Sequence, residues 1–316
     1  MHFAIRLDAF SVTLRAVAIT LTQLTSFLAV VRGGSITVAA DALFVTQPSV
    51  SAALAALNRE VGVDLLERAG RSVRLSPAGT AFAPYAADVI GLLEKGREAA
   101  QQAADAGEGR LRIAAVTTAA ESFVPPLMKA FGTRRPGLEL MLDVGNRAAV
   151  LDAVLDHRAD VGISGHPPTD ERLEALPLSE NEIVLIAAPD DPLVGTKPAA
   201  AAELLEGRTW LLREQASGTR ALNERFLAAA GIEPRTLTLG SNGAIKQAAR
   251  AGLGVSLISR ASVEAELMSG WLGLIPLARP VATRRWWVLR SAIGPLRPTV
   301  SEFMDFASRD LAGSGA

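Results

Sequence analysis

"TQPSVSAALAALNREVG", residues 46–62, decides how the first part of the chain is read. Thr46 is a good N-cap, and Pro48 sits in the first turn, where a missing N–H costs nothing. Val50, Leu54, Leu57 and Val61 recur at spacings of four, three and four, which makes one apolar helix face. Opposite lie Ser49, Ala52, Ala56 and Arg59. A packed face needs bulk and a solvated one usually carries charge, and this outer face has little of either. Two readings fit the stretch alone: an alanine-rich packing helix, or a helix kept slim to enter a groove about 12 Å wide.

The neighbours separate them. Upstream, "LTQLTSFLAVVRGG" places Leu24, Phe27, Leu28 and Val31 on one face and ends at a glycine pair. "SITVAADALF" then starts a two-turn helix at Ser35. Three short helices around a tight turn form a helix-turn-helix arrangement. Downstream, "LLERAGRSVRLSPAG" predicts a hairpin carrying Arg68, Arg71 and Arg74, placed to run along a phosphate backbone. The candidate DNA-contacting residues are therefore Ser35, Thr46, Gln47, Pro48, Ser49, Ser51, Ala52, Arg59, Arg68, Arg71 and Arg74. Gln47 can pair with adenine, the serines with base edges or phosphates, and Ala52 and Ala53 with thymine methyls. Residues 21–80 hold five arginines against four acids, an excess of +1. A shallow salt dependence is expected of so weakly basic a segment.

Ser76 and Pro77 open a long helix reaching about residue 106. Phe82, Tyr85, Ala86, Val89, Leu92, Leu93, Gly96 and Ala100 form its stripe. The stripe either packs on its own domain or pairs with the same helix of a second copy. From Arg110 the pattern changes to alternating strands and helices, the signature of an α/β sheet. The strands are "LRIAAV", "LELMLDVG", "ADVGIS", "NEIVLIAAP", "RTWLLRE", "TLTLG", "GVSLIS" and "RRWWVLR". "LELMLDVGNRAAVLDAVLDHRADVGISG" and "TLTLGSNGAIKQAARAGLGVSLIS" share one plan: a strand, a Gly–Asn-type turn, a helix and a strand ending in Ile-Ser. Two such lobes generally face each other across a cleft.

Small polar residues gather where these strands run into helices. Thr117 and Thr118, Asn146 and Ser164 belong to the first lobe. Ser217, Gly218, Thr219 and Arg220, with Ser241 and Asn242, belong to the second. Each alone is an ordinary cap. Five such turns at matching places predict a site for a small anion such as a carboxylate, a phosphate or a sulfate ester, held by helix N-termini and one arginine.

The rest of the composition excludes more than it adds. The 316 residues carry a net charge of about −1, with 49% hydrophobic content and no cysteine, so there is no disulfide, thiolate nucleophile or cysteine metal site. No apolar run reaches the ~18–20 residues of a membrane span. Residues 1–20 read as an N-terminal extension; Asp8 and Arg15 interrupt what would be a signal peptide, and Val17 offers an alternative start to Met1. His2, His157 and His166 are scattered, and His157 and His166 read as solvated. No metal, no catalytic set and no cofactor is expected, and the Gly-x-Gly pieces read as turns. Trp286 and Trp287 alternate on a strand, so one faces the core.

Taken in order, "LTQLTSFLAVV", "GSITVAADALFVTQPSVS" and "LNREVGVDLLERAGRSVRLSPAG" resemble the N-terminal domain of LysR-type transcriptional regulators. Residues 110–310 resemble the effector-binding domain of that family. "LREQASGTR" and "LGSNGAIKQAARAGLGVSLISR" look most like its regulators of carbon-fixation operons. Ala53, Ala56 and Asn58 depart from the longer or acidic side chains common there, which puts the operator sequence in question. The resemblance implies an α/β chain. A winged helix-turn-helix (21–80) and a linker and dimerisation helix (77–108) would precede a periplasmic-binding-protein-like domain (110–316) of two Rossmann-like lobes. Lobe one would take 110–182 and 288–316, lobe two 183–287. It implies double-stranded promoter DNA as partner, a homotetramer built from dimers, contact with RNA polymerase, a cytoplasmic place and no membrane. The effector would be a carboxylate or phosphate metabolite, for instance a phosphorylated sugar or nucleotide. The competing reading is a small-anion-binding receptor without a specific DNA target.

Overall fold

A computed structural model describes residues 19–69, 72–104, 109–196, 205, 207–277, 281 and 284–313. The chain divides into two compact units, residues 1–93 and 94–316. No single described helix is long and apolar enough to cross a membrane.

The first unit begins with α1 (Leu21–Gly33), α2 (Ile36–Leu43) and α3 (Gln47–Val61). Each is capped by a residue whose hydroxyl takes an orphan backbone N–H. Thr20 and Gln23 form a reciprocal capping box on α1, Ser35 accepts from Val38 N–H at 3.1 Å, and Thr46 from Ser49 N–H at 3.4 Å. Val50, Leu54 and Leu57 of α3 are buried with Leu24, Phe27, Leu28, Ala39 and Ala40. The strands β1 (Leu66–Ala69) and β2 (Ser72–Leu75) pair antiparallel with Leu66 opposite Leu75. Helix α4 (Pro77–Ala104) follows. Gly79 in its first turn is obligatory, because a Cβ there would lie 1.9 Å from the Leu65 carbonyl oxygen. Phe82 meets Phe27 edge-on at 5.7 Å.

The second unit holds two lobes. Lobe one is a five-stranded sheet. Its order is β4 (Glu139–Gly145), β3 (Arg110–Val116), β5 (Val161–Ser164), β12 (Arg284–Ser291), β6 (Leu173–Asn181). The β3–β4 and β3–β5 pairs are parallel, and β12 runs antiparallel to both its neighbours. Helices α5 (Thr117–Ala120), α6 (Val124–Arg134), α7 (Arg147–Leu155) and α11 (Pro298–Gly313) belong to this lobe. Phe131 stacks edge-on against Phe303 at 5.1 Å in its core. Strand β12 enters this sheet from Arg284 onward, earlier than the expected return at 288. Strand β6 is not among the expected strands, and it pairs with β12 along nearly the whole length of both.

Lobe two contains β7 (Ile183–Ala187), paired antiparallel on one side with β10 (Ser256–Ser259) and on the other with β11 (Gly273–Ile275). Strands β8 (Trp210–Arg213) and β9 (Thr236–Leu239) pair in parallel, and a Trp210–Val255 bridge links β8 toward β10. Its main helices are α8 (Gly218–Ala230) and α9 (Asn242–Arg250), with α10 (Glu264–Met268) shorter. Apolar residues of the buried strands alternate between two cores, Leu185, Leu212 and Leu257 on one side, Ile186, Leu211 and Ile258 on the other. Trp286 is buried and Trp287 half-buried, as alternation requires.

One buried polar cluster fastens the end of α4 to lobe one. Arg112 on β3 donates to both Glu98 carboxylate oxygens, and Arg297 donates to Glu98 at 3.5 Å and to Asp160 at 3.0 Å. Arg297 also donates to the Arg110 carbonyl at 2.6 Å. Asp160 in turn accepts from the Arg112 backbone N–H at 2.9 Å.

Candidate functional site

On the outer face of α3 the residues Gln47, Pro48, Ser49, Ser51, Ala52 and Arg59 are exposed, as is Thr46 just before it. Two hydroxyls are already engaged: Thr46 and Ser49 share a hydrogen bond of 2.8 Å. Gln47, Ser51 and Ala52 present the least encumbered surface. Ser35 is half-buried and serves as the α2 cap. Arg68 is exposed on β1, and Arg74 on β2 is held by Glu67 at 2.9 Å. Arg71 lies outside the described residues. Asn58 has a local task. Its amide donates to Asp64 at 2.8 Å and its carbonyl accepts from Leu65 N–H at 3.3 Å, which ties α3 to the loop before the hairpin. Phe44, not singled out in the sequence, is 97% exposed in a left-handed turn between α2 and α3. Along α4, Ala86 and Ala87 are buried while Tyr85 (71%), Val89 (50%) and Leu93 (53%) form an exposed apolar row spaced by four.

The second site is a cavity between the two lobes, with about 530 Å³ of empty space that opens in part to solvent. Thr117, Thr118, Asn146, Ser164, Ser217, Gly218 and Thr219 all line it. Three expected residues do not. Arg220 turns away: its guanidinium donates to Glu224 at 2.7 Å, to the Arg213 carbonyl at 3.0 Å and to Thr238 at 3.4 Å. Ser241 caps α9 through Ala244 N–H at 3.1 Å. Asn242 is buried beside the cavity and joins the lobes. Its amide donates to Thr118 Oγ1 and to Glu121, each at 3.1 Å, and its carbonyl accepts from Arg213.

The cations of the cavity come from elsewhere. Arg147 opens α7, Arg213 ends β8 and Arg284 opens β12, and all three line the space. Arg213 is neutralised by Glu214, with contacts of 2.7 and 2.9 Å. Arg284 is not. Its Nη2 lies 3.7 and 3.9 Å from where side chains at Gly165 and Gly218 would begin, so the guanidinium sits between a lobe-one loop and the start of α8. It makes no hydrogen bond or ion pair among the described residues. Burial, with Arg225 and Arg147 adding repulsion, pushes its pKa down to about 10.

Five lining side-chain atoms are buried without a hydrogen-bond partner: Arg147 Nε, Ser164 Oγ, Asn181 Oδ1, Ser259 Oγ and Arg284 Nε. Such a cluster of unsatisfied groups is costly unless something external completes it. Helix α8 adds to this, because its N-cap Ser217 makes no side-chain cap bond. The first N–H groups of α8 therefore remain free to meet an anion. His166, expected to be solvated, is half-buried on the cavity wall. His157 is likewise buried, in a left-handed conformation (φ 58°) at the end of α7. Among the described residues no group of histidine, aspartate and glutamate could hold a metal ion.

Comparison with known proteins fits this layout. The bacterial regulatory helix-turn-helix description of the lysR family matches residues 21–80, and the LysR substrate binding domain matches residues 104–312. The chain belongs to the LysR family of transcriptional regulators. Within the LysR family it is similar to the RuBisCO operon transcriptional regulator of Allochromatium vinosum. Identity is 34% over 295 residues, covering 93% of this chain and 97% of that one. The regulator CfxR of Cupriavidus necator is 34% identical over 282 residues, covering 89% and 88% of the two chains. The chain thus groups with the carbon-fixation regulators. Among solved structures, the CcmR regulatory domain of Synechocystis PCC6803 in complex with 2-PG has 31% identity and a TM-score of 0.61. The match covers 65% of this chain and 98% of that one. Full-length CbnR complexed with its target DNA has the same fold, with a TM-score of 0.61 at 24% identity, over 92% of this chain and 99% of that one.

Proposed function

We propose that this LysR-family regulator binds a small phosphorylated anion in the cavity between its lobes and reads promoter DNA with α3 and the β1–β2 wing. The observation that carries the first half is the uncompensated charge of the cavity. Arg147 and Arg284 each keep a buried Nε without a partner beside two buried orphan hydroxyls. Protein interiors rarely leave such groups unmatched. A phosphate offers three acceptor oxygens and up to two charges, which suits two guanidinium edges, two hydroxyls and the α8 N-terminus together. The solved complex of the CcmR domain with 2-PG supports this class of ligand.

In this reading residues 21–80 serve DNA, 77–108 serve pairing with a second copy, and 110–316 serve the effector. Thr117, Thr118, Asn146, Ser164, Ser217, Gly218 and Thr219 hold the ligand with Arg147 and Arg284. Asn242 couples the lobes beneath it. Gln47, Ser51 and Ala52 face base edges, and Arg59, Arg68 and Arg74 face phosphates; Arg71, outside the described residues, is assigned the same role from the sequence. The Tyr85–Val89–Leu93 row of α4 pairs with its mate in a dimer, and two dimers make the tetramer. The cavity binds its ligand without turnover in this reading; among the described residues it pairs no nucleophile with a base. The place of action is the cytoplasm, beside promoter DNA.

Fluorescence anisotropy tests both halves at once. The full-length protein is titrated onto labelled DNA from upstream of its own gene and onto scrambled DNA, with and without 2-phosphoglycolate. A preference of about 10³-fold or more establishes specific recognition. A reproducible change in that affinity with 2-phosphoglycolate, absent with glycolate, supports the phosphate site. Equal binding of both DNAs overturns the DNA half, and indifference to 2-phosphoglycolate at millimolar concentration overturns the effector half.

A further inference from the structure

His166 follows β5 at the cavity wall of lobe one, and its Nε2 lies 3.3 Å from Arg225 Nη2 of α8 in lobe two. A guanidinium can only donate. The contact therefore requires a lone pair on Nε2, which means a neutral ring. The charged groups facing the imidazole come from three elements: Arg284 of β12, Arg225 of α8 and Arg147 of α7. All are cations. Burial first, and these three arginines next, push the ring down to about 4, so it is neutral throughout the physiological range.

This arrangement has a consequence for any anion that enters. A neutral imidazole among three cations is a vacant proton acceptor whose protonation is opposed by burial and by the surrounding positive field. A doubly charged anion seated between Arg147 and Arg284 cancels that field at short range. A singly charged anion cancels only part of it. We propose that His166 is the residue by which the cavity distinguishes dianions from monoanions, by taking up one proton from solvent onto Nε2 when a dianion binds. The proton breaks the lone-pair contact with Arg225, and the new N–H donates to an anion oxygen. This rests on the anion reading of the cavity but goes beyond it, since an anion site of fixed arginines alone would bind without moving a proton.

The sign follows from linkage. Because the complex binds one more proton than the free protein, dianion affinity rises as pH falls, by up to tenfold per pH unit between the ring's bound and free pKa values. Sulfate is the probe, because it stays doubly charged across pH 5–8 and contributes no titration of its own. Isothermal titration calorimetry of the full-length protein at pH 6.5, in two buffers of different ionisation heat, should show uptake approaching one proton per sulfate. Affinity should rise about tenfold from pH 7.5 to 6.0. The variant His166→Gln, which keeps an acceptor for Arg225, should lose the proton uptake and the slope. At pH 6.0 it should then bind about tenfold more weakly than the native protein. Sulfate binding with no proton uptake and a flat pH profile overturns this inference alone, as does a His166→Gln variant that keeps both. No binding of sulfate or inorganic phosphate at any pH overturns the anion reading as well.

Discussion

Replacing Arg284 with methionine should make the empty protein more stable and unable to respond to anions. The guanidinium is held without a partner between Gly165 and Gly218, and burial pushes its pKa well below the usual guanidinium value, to about 10. At about 1.36 kcal/mol per unit, a displacement of that size corresponds to roughly 3 kcal/mol of penalty on the charged form. Arg284 is partly exposed, so solvent screens some of this. A net gain of about 1–2 kcal/mol is expected, in keeping with the behaviour of buried charges replaced by apolar side chains of similar length. The folded-state pKa of this base is depressed, so the penalty is full at every pH below about 10 and fades only above it, as the unfolded value is approached. Between pH 6 and 9 the gain should therefore be constant.

The readout is selective. All four tryptophans, Trp210, Trp271, Trp286 and Trp287, lie in the unit formed by residues 94–316. Thermal unfolding followed by intrinsic fluorescence thus reports the effector-binding unit within the full chain. For a unit of this size 1 kcal/mol shifts Tm by about 2–4 °C, so Arg284→Met should melt about 2–8 °C higher than the native protein. In phosphate at about 100 times Kd the native protein should gain about 2.7 kcal/mol, and the variant far less. A variant that melts lower than the native protein, or that gains as much from phosphate, refutes the view that Arg284 is a strained ligand-binding group.

Two further changes test other parts of the molecule. Glu98→Gln leaves Arg112 without an ion-pair partner and Arg297 with Asp160 as its one carboxylate; with side chains only 1–18% exposed, a loss of about 2–4 kcal/mol is expected, and urea unfolding monitored by tryptophan emission checks it. Val89→Glu puts a charge into the exposed apolar row of α4, which should shift the protein toward monomer in analytical ultracentrifugation while its far-ultraviolet circular dichroism stays native.

Much of the fold is legible in the sequence because its signals are local. The caps Ser35, Thr46 and Ser241 announce helices that start where they should, and the apolar spacing of α3 matches its buried face. Strand β6 was not legible, since Pro177 and the polar pattern of "LEALPLSEN" resemble a loop. Its place at the sheet edge tolerates the proline. In the cavity, the hydroxyl and glycine residues at strand ends could be named because each sits at a recognisable strand-to-helix turn. The cations could not. Arg147, Arg225 and Arg284 are far apart in the chain, and only the return of β12 into lobe one brings Arg284 to the cleft. Arg220 did carry a warning, in that Glu224 stands four residues on, the spacing of an ordinary intrahelical pair.

The two arginine clusters of the second unit differ in what the protein supplies to them. Around Arg112 and Arg297 it places Glu98 and Asp160, and the result is a closed structural knot. Around Arg147, Arg225 and Arg284 it places no ion-pairing carboxylate among the described residues, leaves the Ser164 and Ser259 hydroxyls without a partner, and gives α8 no side-chain cap. The same chain that neutralises one set so fully leaves the other open, as the proposed anion site requires. The geometry also says what such an anion can accomplish. Arg284 lies between Gly165 of lobe one and Gly218 of lobe two, and His166 reaches Arg225 across the same gap. An anion seated there would contact both lobes at once. A ligand shifts a conformational equilibrium by no more than its difference in affinity for the two states. In this cavity that difference is the set of contacts to the second lobe, which opening would remove.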